Sequence, residues 1–175
     1  VPIKAEQVID AADNLLMPGG IDPHLHLDLP MAGTVSSDDH YTGTKAAAFG
    51  GTTTVFDFIS FDQKTLKESY LAWKKKAEPN CAVDIGYHIN ITRLDDAVLT
   101  ELAELPKLGI LSLKMFMAYN GRLRLQDGEI FQVMRQCVQH NLLPMLHAEN
   151  GDVIDILVKE ALAENHRSPI WHART

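Results

Sequence analysis

Apolar residues along this chain fall into two alternating kinds of run. Five short stretches, roughly 19–26, 52–58 (TTTVFDF), 83–90 (VDIGYHIN), 112–117 (SLKMFM) and 143–149 (LPMLHAE), are compact, largely apolar and end on polar residues. That composition predicts buried strands. Their starts lie about thirty residues apart, the length of one βα unit. Between them, apolar positions recur every three or four residues. Leu66, Tyr70, Trp73 and Ala77 form one stripe, and Val98, Leu102 and Leu105 a second; Ile130, Met134, Cys137 and Val138 form a third, and Val153, Ile154, Leu157, Ala161 and Leu162 a fourth. Such spacing lines one face of a helix. Asp62, Asp127 and Asn150 stand where helices should begin, each able to accept an orphan N–H, and Gly50-Gly51 offers a helix stop.

Strict β-α alternation with apolar strands implies a parallel sheet covered by helices, either doubly wound or a (β/α)8 TIM barrel. The polar residues favour the barrel. His24, His26, Asp57, His88, Asn90, Lys114, His147 and Glu149 all fall at or near the C-terminal ends of different strands, where barrel enzymes gather their chemistry. A doubly wound nucleotide binder would want a glycine-rich loop after its first strand, and Gly19-Gly20 comes before that strand's polar end. The expected fold is therefore α/β, a partial barrel of about five βα units over residues 17–175, with roughly another hundred residues needed for closure. Residues 1–16 stand outside the pattern, as the end of a separate small β element.

Composition narrows the function. The 175 residues are 46% hydrophobic and 22% charged, with Lys plus Arg 16 against Asp plus Glu 23, a formal charge of −7. No basic patch interleaved with aromatics tracks a phosphate backbone, so nucleic acid is not an expected partner. No apolar run approaches the ~20 residues of a bilayer span and no signal core opens the chain. A membrane is not expected, and the cytoplasm is the default compartment. Cys81 and Cys137 are solitary and read as small buried hydrophobes.

The chemistry concentrates in GGIDPHLHLDLP, residues 19–30. A strand period of two points His24 and His26 to one face, within reach of a single metal ion; two strand histidines satisfied by backbone carbonyls would look the same. Asp22 and Asp28 on either side could fix their tautomers or join them at the metal. Lys114, amid Leu113, Met115, Phe116 and Met117, would lie inside a strand, where an unpaired ammonium is costly. Either its head reaches the strand end or pairs with Glu149, or the amine takes up carbon dioxide as a carbamate whose two oxygens can bridge metals. His147 ends the fifth strand, as a ligand or as a satisfied core histidine. Nitrogen and oxygen donors from several strands suit zinc or a similar divalent ion.

PGGIDPHLH, the Gly-Gly-Thr-Thr-Thr of the second strand, SLKMFMAY and HAENGD together resemble the dihydropyrimidinase/hydantoinase family, binuclear-metal cyclic amidohydrolases on a (β/α)8 barrel. The resemblance implies that His24 and His26 hold one divalent ion, zinc first among candidates, and His147 a second, with Lys114 as the carbamylated bridge. It implies that Tyr119 hydrogen-bonds the substrate carbonyl while a metal-bridged hydroxide opens hydantoins or 5,6-dihydropyrimidines to N-carbamoyl amino acids. It further implies a homotetramer, and an upstream β-sandwich to which residues 1–16 would belong. The family's strand-six histidine and strand-eight aspartate have no counterpart in these 175 residues, so the segment alone is expected to be neither closed nor active; His166 and His172 fall too early to replace them. Dihydroorotases carry an arginine where Asp28 stands, and a carboxylate there would repel an anionic substrate. Leu29, Met31 and Phe116 could line a pocket for the ring substituent. The rival readings are an allantoinase-like enzyme and a non-catalytic scaffold of the collapsin response mediator type; by resemblance, the scaffolds lack the His-x-His pair and the lysine.

Overall fold

The computed structural model describes residues 4–31 and 33–175. Five strands form one parallel sheet: β1 (Gly20–Leu25), β4 (Thr52–Ile59), β5 (Asp84–Asn90), β6 (Ser112–Phe116) and β7 (Leu143–His147), in that spatial order. Two-residue strands β2 (Pro30–Met31) and β3 (Thr34–Val35) make a small antiparallel hairpin after β1. Helices α1 (His40–Phe49), α2 (Leu66–Ala77), α3 (Asp96–Leu102), α4 (Asp127–His140) and α5 (Gly151–Ala163) follow successive strands.

The strands add in chain order without reversing, whereas a doubly wound sheet changes direction at a switch point and carries helices on both faces. Here one face holds the core. Ile59, Tyr87, Ile89, Leu113 and Met115 from the strands pack with Leu66, Tyr70, Trp73 and Ala77 of α2, Val98 and Leu102 of α3, and Ile130, Val133 and Cys137 of α4. Each fully buried Leu or Ile in this layer contributes about 1.5–3 kcal/mol. The arrangement is that of part of a (β/α)8 barrel, with the opposite face of the sheet left for other groups.

Helix boundaries correct the sequence reading in detail. Thr65, not Asp62, caps α2: its hydroxyl accepts from the Glu68 N–H at 3.0 Å, and the Glu68 carboxylate returns a bond to the Thr65 N–H. The T-x-x-E capping box wins because it satisfies two orphan donors at once. Asp127 is the first residue inside α4, and Gln126 stands at the cap with its N–H donating to Glu129. Asn150 caps α5 as expected, and Gly51, at φ +84°, makes the turn into β4. Val138 is exposed and Val133 takes its place in the α4 stripe. The α5 stripe is buried at Ala161 and half-buried at Ile154, whereas Val153, Leu157 and Leu162 are exposed. Of residues 1–16, the first three lie outside the described residues, and 4–16 form no strand and are exposed throughout.

Candidate active site

The end of β1 is held by side chains more than by its ladder. Its pairing with β4 is irregular between Asp22 and Leu25, where Pro23 has no N–H to give. Three side chains compensate. Asp22 Oδ1 accepts from the His24 N–H at 3.0 Å, His88 Nε2 donates to the Pro23 carbonyl at 2.8 Å, and Asp57 Oδ1 lies 3.4 Å from the Leu27 N–H. So braced, the exposed His24 and His26 rings stand 5.4 Å apart, edge to face, at 4.5 and 4.8 Å from the ring of Phe58. Desolvation, and next the neighbouring His24, hold His26 below its ordinary pKa, which favours the neutral imidazole that a metal requires.

Register carries the other candidates onto the same face. Phe58 pairs with His88, Asn90 with Lys114, Lys114 with Met145 and Phe116 with His147. The Lys114 ammonium lies 6.0 Å from the Phe58 ring and 5.7 Å from that of Phe116. Among the described residues it has no ion pair and no hydrogen bond. Glu149, considered as its partner, instead binds His147. His147 in turn sits 6.0 Å from Phe116 and 5.2 Å from Tyr119. The sheet face thus reads, from β1 to β7, histidine pair, Phe58, Lys114, Phe116, His147 and Tyr119. No three His, Cys, Asp or Glu side chains among the described residues close on one point; the histidine pair and His147 stand apart on the face, with Lys114 on a strand between them. Beside Lys114, the buried Asn90 Oδ1 has no partner, a cost that a site filled by a polar group would remove. Imidazoles flanking a half-buried amine without a counter-ion are a donor set that suits two divalent ions with a bridging carbamate.

Other expectations are corrected. Neither flanking carboxylate reaches the imidazoles, because Asp22 is spent on a backbone N–H and Asp28 faces His40 and Lys76. With its charge engaged there, Asp28 does not confront the histidine pair as a free repelling carboxylate. Asp57 ends on the helix side, where strand alternation turns it. His166 lies after α5 and stacks on Trp171 at 3.7 Å. Leu29 is half-buried and Met31 exposed on the hairpin beside the histidines.

Sequence reasoning missed His40. It is buried against Trp73, with Nδ1 2.8 Å from Asp28 and Nε2 3.1 Å from Asp57, whose carboxylate also accepts from Trp73 Nε1 at 3.0 Å. Two acidic acceptors require both ring nitrogens to carry hydrogen. Burial opposes that charge, but the bonds to Asp57 and Asp28 outweigh it and raise His40 above its ordinary pKa. The signal was in SSDDHYTG: Asp39 and Thr42 form a capping box that starts α1 at His40. Asn120 was equally unremarkable in sequence. Its amide donates to Asp152 and Asp155 at 3.1 and 2.8 Å and its carbonyl accepts from Arg124, clamping the Tyr119 loop to α5. Tyr119 itself sits at φ 66°, a conformation few bulky residues adopt.

Parallel strands that bring imidazoles and an unpaired amine to one face at their C-terminal ends put them where (β/α)8 barrel proteins gather their chemistry. Comparison makes the assignment specific: the model of the Amidohydrolase family matches residues 15–170, and the chain belongs to that family. It is 46% identical over 171 residues to a D-hydantoinase of Geobacillus stearothermophilus, which covers 97% of this chain and 36% of that protein. It is 41% identical over 173 residues to a dihydropyrimidinase of Dictyostelium discoideum, 98% of this chain and 34% of that one. A solved D-hydantoinase from Bacillus sp. AR9 superposes with a TM-score of 0.86 at 46% identity, over 90% of this chain and 35% of the other. The chain spans about a third of the length of the curated relatives it matches.

Proposed function

We propose that the protein hydrolyses cyclic amides and imides, hydantoins and 5,6-dihydropyrimidines, to N-carbamoyl amino acids. The observation that carries this reading is Lys114, half-buried and unpaired between the His24/His26 pair and His147. The similarity to D-hydantoinase and dihydropyrimidinase supports the substrate class.

In this reading His24 and His26 hold one divalent ion, with zinc the first candidate, and His147 the other. The Lys114 amine, carbamylated by carbon dioxide with loss of a proton, would supply the anionic oxygens that hold the two ions together with these histidines. When bound, the two ions supply a nucleophilic water at neutral pH and a Lewis acid for the carbonyl. Tyr119 donates its hydroxyl to the substrate carbonyl oxygen, where negative charge develops. Its positive φ and the clamp of Asn120 and Arg124 on α5 support this role by holding the Tyr119 ring beside that of His147. Leu29, Met31 and Phe116 contact the ring substituent. Hydrolysis adds a hydroxyl to the carbonyl carbon and a proton to the ring nitrogen whose bond breaks. A homotetramer working in the cytoplasm completes the reading. Separately, no helix among the described residues is long and apolar enough to cross a membrane.

The test is metal analysis and product chromatography on the protein expressed from its complete coding sequence. Close to two divalent ions per chain and ring opening of hydantoin or dihydrouracil are expected. Lys114→Ala should lose most of the metal, and with it the activated water and most of the turnover. Full activity in that variant would end the carbamate assignment, and a metal-free, inactive wild type would favour the scaffold reading.

A further inference from the structure

His88 is buried on β5, and the chemistry above gives it no task. Its contacts are unusual in their reach. In the sheet β4 separates β5 from β1, so the bond from His88 Nε2 to the Pro23 carbonyl at 2.8 Å crosses the face of the sheet and does not run along a ladder. The other nitrogen, Nδ1, bonds the Ser112 hydroxyl on β6. A carbonyl can only accept, so Nε2 carries the hydrogen and Nδ1 is left to accept from Ser112. The ring is wedged between Phe56, at 5.3 Å, and Phe58, at 4.7 Å, and Phe58 is the ring on which His24 and His26 rest.

The two groups held by this imidazole are placed tellingly. Pro23 immediately precedes His24, in the stretch where β1 departs from regular pairing. Ser112 lies two residues before Lys114 on the same strand, hence on the same face. One side chain therefore ties the strand that presents the histidine pair to the strand that presents the lysine.

We propose that His88 is a positioning residue: by gripping Pro23 and Ser112 together it sets the spacing between His24/His26 and Lys114, and so the affinity of the metal site they form. This rests on the metal reading given under Proposed function. Both ring nitrogens of His88 are engaged by Pro23 and Ser112. It acts through the backbone of β1 and the register of β6, and without it the Pro23 carbonyl loses its partner.

The experiment uses the protein from its complete coding sequence, stripped of metal and titrated with zinc against a chromophoric chelator, with the visible spectrum of the cobalt(II) form as a second readout. His88→Leu keeps a comparable volume and removes both bonds. His88→Gln keeps a donor for Pro23 and an acceptor for Ser112 in one carboxamide. His88→Leu, folded by circular dichroism, should bind zinc about 10–100-fold more weakly, the usual effect of removing a group that orients a metal ligand, and should shift the cobalt bands. His88→Gln should restore most of both, and Ser112→Ala, which cuts only the tie to β6, should fall between. A folded His88→Leu with wild-type affinity and spectrum overturns the proposal, as does equal impairment by Leu and Gln, which would make the residue mere packing. Should His88→Leu fail to fold, Ser112→Ala decides, and wild-type affinity there overturns the proposal. A wild type that binds no zinc topples this inference and the metal reading together, whereas a zinc-binding wild type with an unchanged His88→Leu topples this one alone.

Discussion

Two sets of histidines and charged groups flank the end of β1, and their valences are filled very differently. On the helix side, Asp28, His40, Asp57 and Trp73 satisfy one another, and His40 and Asp57 are each only 1% exposed. On the opposite face His24 and His26 are exposed, Lys114 has no described partner, and Asn90 keeps a buried oxygen unbonded. Residue type alone would rank the two sets as equal candidates for chemistry. Their satisfaction separates them: a closed network has no lone pair or proton left to offer a ligand, while an open one is costly unless something occupies it. The closed set reads as the fixed wall behind the hairpin after β1, the open set as the working face.

Substitutions can break this contrast, and the largest effect should come from the closed side. Asp57→Ala leaves the Trp73 and His40 donors and the Leu27 N–H without their acceptor, and should cost about 3–5 kcal/mol in urea unfolding. A loss below about 1 kcal/mol would show that the network is not closed. Next comes His40, whose folded pKa is raised, so the folded state binds the proton more tightly than the unfolded chain. Its contribution is then complete below the unfolded value of about 6.5 and fades as pH rises through the folded value. The stability advantage of wild type over His40→Phe should accordingly be larger at pH 6 than at pH 9, and a pH-independent difference would mean that the imidazole is neutral. The smallest effect belongs to the open side. In metal-free protein Lys114→Met removes no described ion pair or hydrogen bond, only the approach of the ammonium to the Phe58 and Phe116 rings, and should shift stability by no more than about 1 kcal/mol. A destabilisation as large as that of Asp57→Ala would erase the distinction.

Much of the scaffold was legible because the strands obey a simple rule. All five sheet strands fall within a residue or two of the runs picked out by apolar clustering, and the α2 stripe of Leu66, Tyr70, Trp73 and Ala77 is buried throughout. The rule failed where polar groups do the folding. Helix α1 buries His40 and Thr44 in place of an apolar stripe, so periodicity is blind to it, and only its capping residues announce it. The candidate residues were legible as a set of strand ends, and the His-x-His pair does share a face. The partners of Asp22, Asp28 and Glu149 were not legible, since charge says nothing about which neighbour a side chain turns to. Asp28 in particular belongs to the wall and not to the histidine pair, because His40, twelve residues on, holds it.

Gly151 carries a consequence for diversification of this scaffold. A Cβ there would come within 3.0 Å of the Ala118 Cα and the Met117 carbonyl, and within 2.9 Å of the Asn120 side chain, so the first residue of α5 and the segment bearing Tyr119 are fitted surface to surface. Loop exchange between homologues is therefore constrained as a cassette. A transplanted 117–125 segment should work only in a recipient with glycine at 151, and any bulkier residue there would lever the tyrosine out of alignment with the strand end it faces.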